Sequence, residues 1–300
     1  PQARARHAGV VYSGVAGGVK IVEHLLYSGQ TTSAVVIDSD GEKTVDESIA
    51  PPVINNQQDF IEAVKKSGLV GLGGAGFPTQ VKLDVPCEKI EFLLINGAEC
   101  EPYVTSDSVN MLTRTDDIIL ALNALHRYLG VKNVIIGVEK NNKKVVTAMQ
   151  KLAASISDFA VNVKVLPDKY PQGGEKVLVY HTTGRKIAAN KLPIDVGCIV
   201  LNSTTIAELG AFLRTGMPLI EKCVTVEGGA VKQPQNVIAP IGTPLNVLFD
   251  FCGGLKEDPA KIIYGGPMMG ITVTNADVPV LKNTNAVLAL TKKEAKLPKT

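Results

Sequence analysis

Four glycines in six residues, Gly71, Gly73, Gly74 and Gly76, are followed by Phe77, Pro78 and Lys82. Glycines leave the main chain bare, so successive N–H groups can converge on an anion. Pro78 suits the first turn of a helix, whose N-terminus adds positive dipole. Lys82, one helical turn on, adds a full charge. The combination describes a cradle for a phosphate. A second segment runs from the apolar strand Phe92–Ile95 into Asn96, Glu99, Cys100 and Glu101. Polar groups at the carboxyl end of a strand are where α/β proteins bind ligands. Asn96 can donate and accept, which suits the edge of a heteroaromatic ring, although before Gly97 it is equally a turn former. Glu99 and Glu101 project to one side of an extended segment. There they accept from sugar hydroxyls or stand in a solvated loop.

Gly71, Gly73 and Gly76 formally make G-x-G-x-x-G, but the dinucleotide fingerprint needs a strand directly before it. Asp59–Ser67 instead carries Phe60, Ile61 and Val64 among charged residues, the pattern of a short amphipathic helix. The loop is therefore a helix–loop–helix phosphate site or a tight turn. Further on stands Tyr170-Pro-Gln-Gly-Gly-Glu-Lys, with Gly173 and Glu175. Asn202, Ser203 and Thr204 follow a short apolar strand and can bind phosphate at a helix start or simply cap it. Glu175 likewise suits a helix start. Flanking carboxylates disfavour a Cys100 thiolate, which leaves that residue a packing role. The four histidines are scattered, with His126 in a helical last turn and His181 unpaired with any nucleophile. A hydrolase triad has no support.

The strings GLGGAGFPT…K and INGAECEPY, with YPQGGEK, VLNSTT and GGPMMG, resemble a known family. It is the C-subunit family of the Rnf complex, the ion-translocating NADH:ferredoxin oxidoreductase, related to the flavin-carrying subunit of respiratory complex I. The resemblance covers nearly the whole chain. It implies FMN as cofactor, bound by Gly71, Gly73, Gly74, Gly76, Lys82, Asn96, Glu99, Tyr170, Gly173, Asn202, Ser203 and Thr204. It implies NADH as donor, met by Phe77, Glu101 and Glu175. NADH would pass a hydride to the flavin, and electrons would leave singly for two 4Fe-4S clusters in a following segment. Ala98 and Gly174 replace acidic residues of the complex I relative, which puts one flavin contact at each in doubt. One compact loop with one lysine suits the single terminal phosphate of FMN rather than FAD. A cobalamin reductase shares the glycine loop, and a docking module without flavin is the non-enzymatic alternative.

The composition fits a folded protein with a sizeable core: 300 residues, 45% hydrophobic and 20% charged. Net charge is +2, tryptophan is absent and no basic run interleaves with aromatics, so nucleic acid is not expected as a partner. The five cysteines, Cys87, Cys100, Cys198, Cys223 and Cys252, make no C-x-x-C. They fit reduced thiols in a cytosolic protein and give no cluster or zinc framework. No apolar run reaches the length of a membrane span. The resemblance implies a peripheral setting, on the cytoplasmic face of a bacterial inner membrane, among other subunits of an electron-transfer complex. The chain opens on Pro1 and ends at Leu297-Pro-Lys-Thr, which reads as a fragment with family segments before and after it.

The elements that must hold these residues read as α/β. Residues 1–50 form a small β module, with strands at Val10–Tyr12 and Ser33–Asp38. The resemblance implies part of a barrel-sandwich there. Residues 51–58 link it onward. Residues 59–216 alternate helix and strand, which predicts a mostly parallel sheet with helices on both faces. This is the expected FMN- and NADH-binding domain. Residues 218–275 read as strand, turn, strand, helix and strand, a small β-grasp domain. Residues 276–300 read as a connector toward the missing iron–sulfur segment.

Overall fold

The computed structural model describes residues 13–25, 31–42 and 44–296. The strand expected at Val10–Tyr12 lies outside them. β1 (Gly17–Leu25) and β2 (Thr31–Ser39) pair antiparallel from Gly17↔Ser39 to Leu25↔Thr31. Val19, Ile21 and Val35 of this hairpin are exposed.

The α/β part begins with α1 (Gln57–Lys66), capped by Asn56, whose side chain accepts from Asp59 N. Its apolar stripe, Phe60, Ile61, Ala63 and Val64, is buried at helical spacing. After the glycine loop come α2 (Thr79–Leu83), β3 (Phe92–Gly97), α3 (Ser106–Thr113) and α4 (Thr115–Leu129). α4 buries Ile118, Ala121, Leu122, Leu125 and Leu129, and Gly130 ends it in the left-handed region at φ 64°. Losing a fully buried leucine there costs about 2–5 kcal/mol. Then follow β4 (Asn133–Glu139), α5 (Lys143–Ser155), β5 (Ala160–Leu166), α6 (Glu175–Thr183), β6 (Cys198–Asn202) and α7 (Ser203–Thr215).

The four strands form a parallel sheet in the order β5-β4-β3-β6. β3 and β6 are near-continuous apolar runs because helices cover both sheet faces. β5, at the edge, alternates instead. The chain builds outward from β3 to β4 and β5, then returns to place β6 on the other side of β3. Strand order therefore reverses between β3 and β6, and a crevice opens at the carboxyl ends of such strands.

The third part holds β7 (Glu221–Glu227), β8 (Gln235–Pro240), α8 (Leu245–Phe251), β9 (Lys261–Tyr264), β10 (Ile271–Val273) and β11 (Ala286–Leu290). The sheet order is β10-β9-β11-β7-β8, with β11 parallel to β7 and the other pairs antiparallel. A hairpin, a helix across it and a late strand returning beside the first make the β-grasp arrangement. Here the boundary expected at residue 275 moves. β11, inside the stretch read as a connector, is wholly buried and lies in the middle of the sheet. Its run Ala-Val-Leu-Ala-Leu has no polar alternation because both faces are covered. Val287 and Ala289 join the core under α8, and Ala286, Leu288 and Leu290 pack with Val104 of the α/β part.

Candidate functional site

Asn96 and Asn202 sit side by side in register at the ends of β3 and β6, at the point where strand order reverses. Asn96 Nδ2 donates to the Gly173 carbonyl at 2.8 Å, and Asn96 Oδ1 accepts from Ala98 N at 3.2 Å. Gly173 has no room for a side chain: a Cβ would come within 2.7 Å of the Ala98 carbonyl. Asn202 caps α7, its Oδ1 accepting from Thr205 N at 3.1 Å, while its Nδ2 donates to Asp107 at 2.7 Å. Three motifs far apart in sequence thus meet at one crevice.

The glycine loop lies against this edge. A Cβ on Gly73 would press on the Asn202 amide at 3.1 Å. Leu72 N donates to Thr205 Oγ1 at 3.0 Å, and Gly71 N to Phe77 O at 2.7 Å. Gly74 (φ 131°) and Gly76 (φ 64°) occupy backbone regions that favour glycine. Two loop carbonyls are pinned from the β-grasp side. Leu72 O accepts from Lys222 Nζ at 2.9 Å, and Gly74 O from Asn283 Nδ2 at 2.7 Å. A trans peptide is planar, so its C=O and the next N–H point in opposite directions. Pinning those carbonyls turns the N–H groups of Gly73 and Ala75 away from the β-grasp domain. Among the described residues the N–H groups of Gly73, Gly74 and Ala75 have no protein acceptor, and all three residues are exposed.

The carboxylates divide by role. Glu99 does not stand free in the crevice. It accepts from Asp107 N (2.8 Å), Ser108 N (3.1 Å) and Ser108 Oγ (2.6 Å) at the start of α3. Burial, followed by the charge of Asp107, pushes its carboxyl up to about 8. Asp107 accepts from Asn202 and Thr204, and burial raises its carboxyl as well. Glu101 faces the loop between β9 and β10. Its Oε2 accepts from Met268 N at 2.8 Å, its Oε1 is buried without a partner, and a Cβ on Gly266 would collide with it. Lys82 is not a free cation: it donates to Glu175 at 2.8 Å and to the Val200 carbonyl at 3.1 Å. Two acceptors still leave one of its three N–H groups unused. Thr204 Oγ1 is spent on Asp107, and Ser203 Oγ is buried without a partner.

Phe77 and Tyr170 present rings 45% and 46% exposed. Cys100 is half-buried, and burial pushes its thiol up. His181 pairs with Gln172 at 2.9 Å, and His126 with the Val131 carbonyl. Sequence reasoning missed Asp107, Lys222, Asn283 and Glu139. Glu139 ends β4, is 4% exposed and has a partnerless Oε1. Burial, then Asp168, pushes it up to about 7. A lysine in the apolar strand Lys222–Val226 was the one visible signal among them. A cavity of about 510 Å³ lined by Cys87, Glu91, Phe92 and Arg185 lies at the start of β3, the opposite end from the loop. Glu91 is already paired there with Arg185.

Residues 64–211 match the model of the Nuo51 FMN-binding domain, and residues 223–272 that of the SLBB domain. The C subunit of the Na(+)-translocating ferredoxin:NAD(+) oxidoreductase complex of Acetobacterium woodii is 41% identical over 293 residues, covering 96% of this chain and 66% of that protein. The proton-translocating counterpart from Clostridium ljungdahlii is 40% identical, covering 87% and 57%. The chain belongs to this C-subunit family. Its member from Rhodobacter capsulatus, the C subunit of an ion-translocating oxidoreductase complex, is 36% identical over 100% of this chain and 59% of its own length. The chain thus spans less than two thirds of the length of these family members. A chain of an NAD+-reducing NiFe hydrogenase in the air-oxidized state has the same fold, with a TM-score of 0.67 and 20% identity, covering 81% of this chain and 48% of that one.

Proposed function

We propose that this chain is the FMN-binding, NADH-oxidising part of an ion-translocating ferredoxin:NAD oxidoreductase. The observation that carries this reading is the loop of three unpartnered N–H groups, Gly73 to Ala75, beside the strand-order reversal. Such a nest suits a doubly charged terminal phosphate. Gly71, Gly73, Gly74 and Gly76 keep side chains out of the way. Bound FMN would supply the redox chemistry, accepting a hydride and giving up electrons one at a time.

The chain's own residues position and exclude. Asn96 holds the Gly173 carbonyl, which fixes the Tyr170–Gly173 segment over the crevice. Lys82 keeps a third N–H for the phosphate side while its pairing steadies Glu175. Glu99, Asn202, Ser203 and Thr204 build the floor through α3 and α7 rather than reaching out. Phe77, Glu101 and Glu175 are assigned to the NADH side, where the free Oε1 of Glu101 can accept a ribose hydroxyl.

The relatives are each the C subunit of a complex, which supports a place among other subunits. Our reading puts the chain peripherally, on the cytoplasmic face. No helix among the described residues is long and apolar enough to cross a membrane. No group of three or more His, Cys, Asp or Glu among those residues is placed to hold a metal. The two 4Fe-4S clusters are assigned to a segment outside this chain. Equilibrium dialysis against FMN and FAD, with mass spectrometry of the retained flavin, tests the cofactor. Stoichiometric FMN is expected. Retention of FAD in its place, or of neither, would overturn the reading.

A further inference from the structure

One buried cation has no part in that chemistry. Lys222, on β7, is 2% exposed. Its ammonium donates to the Leu72 carbonyl at 2.9 Å, the Lys282 carbonyl at 3.0 Å and Asn285 Oδ1. All three of its N–H groups are therefore in use, and one of them reaches out of the β-grasp domain into the glycine loop. The neighbouring contacts run the same way. Lys282 Nζ donates to Gly68 O at 2.6 Å, Asn283 Nδ2 to Gly74 O at 2.7 Å, and Leu219 N to Ser67 O at 2.8 Å. Each takes a carbonyl of the 67–74 stretch and none takes an N–H.

We propose that Lys222 is a positioning residue for the flavin phosphate, acting from the β-grasp domain through the Leu72 carbonyl. The inference rests on the reading that the loop binds a phosphate. By peptide planarity, holding Leu72 O fixes the direction of the Gly73 N–H. The ammonium also places a positive charge directly behind the loop. Charged groups act on it from two helices, Asp107 from α3 and Glu208 from α7, with Cys223 beside it on its own strand. β8 sets Ala239 opposite it, and the 282–285 stretch brings Lys282 O and Asn285. Burial lowers its ammonium to about 8, opposed by those two carboxylates. Near neutral pH it is charged, and it loses its proton in mildly alkaline solution. An anion bound in front of the loop favours the protonated form, so phosphate affinity must fall as the proton leaves.

The test measures dissociation constants of FMN and of riboflavin, which lacks the phosphate, by quenching of flavin fluorescence. In the unmodified chain FMN binding should weaken at least about threefold between about pH 7 and 9.5, with riboflavin binding unchanged. FMN affinity that stays flat over this range would overturn the proposal. Equal affinities for FMN and riboflavin at neutral pH would instead overturn the phosphate reading itself. Glu99 also titrates near 8, so two variants separate the groups. In Lys222→Arg the guanidinium stays charged, so whatever the neutral FMN affinity, the alkaline fall should vanish. In Glu99→Gln the fall should persist. A fall that survives Lys222→Arg, or disappears in Glu99→Gln, contradicts the role given to Lys222.

Discussion

Glu101 is the residue whose surroundings say most about what it lacks. One carboxylate oxygen is held by the Met268 N–H, and the other is buried with nothing to accept from. A buried acceptor without a donor is costly, and on the proposed function a ribose hydroxyl of NADH would supply that donor. Glu101→Gln should weaken apparent NADH affinity by about 1–3 kcal/mol, the range for hydrogen bonds to charged groups. FMN affinity should change less. Titration of both ligands checks this, and a loss confined to FMN would mean that the carboxylates are assigned to the wrong ligands. Glu99 differs because its oxygens are already filled. Its carboxyl, ordinarily near 4.5, is pushed up to about 8, so the folded chain holds a proton that the unfolded chain releases. Stability therefore falls as pH rises from about 4.5 to 8, by at most about 1.4 kcal/mol per pH unit for one proton. Glu99→Gln should make that slope shallower, though not flat, because Asp107 is raised too. Urea midpoints at several pH values measure it, and an unchanged slope would show that Glu99 titrates normally.

Helix starts organise the floor of the site. α3 begins against Glu99, and α7 begins at Asn202, which caps it and also donates to buried Asp107. Asn202→Ala removes the cap and leaves Asp107 short of a donor. It should cost about 1–3 kcal/mol of stability. A lowered thermal midpoint with faster hydrogen exchange in the first turn of α7 is expected, and an unchanged midpoint would remove Asn202 from the network. At this scale much was legible in the sequence. The stripe of α4, its glycine stop and the apolar runs of β3, β4 and β6 follow from periodicity alone. α3 was not legible, because Ser106–Thr113 carries few apolar residues and its start is fixed by Glu99 from outside the helix. β11 was missed because its strand partners, β7 and β9, are made by earlier residues. Lys82 could be read as a loop cation. Its pairing with Glu175, 93 residues away, could not.

Over the whole molecule, two domains share one site. The α/β part supplies the crevice between Asn96 and Asn202, and the β-grasp part turns the glycine loop outward and faces Glu101. Asn96, Asn202 and Glu101 stand in legible motifs, but their meeting with one another and with the β-grasp part depends on tertiary contact. The same view separates flavin reduction from onward transfer. On the proposed function electrons would arrive from NADH, and the scattered cysteines among the described residues offer no cluster to receive them. The most direct measurement is anaerobic stopped-flow absorbance of the FMN-loaded chain mixed with NADH, then with ferredoxin. NADH is expected to bleach the flavin band, and ferredoxin is expected not to be turned over. Bound FMN that stays oxidised in the presence of NADH, or steady ferredoxin reduction by this chain alone, would contradict the proposed function.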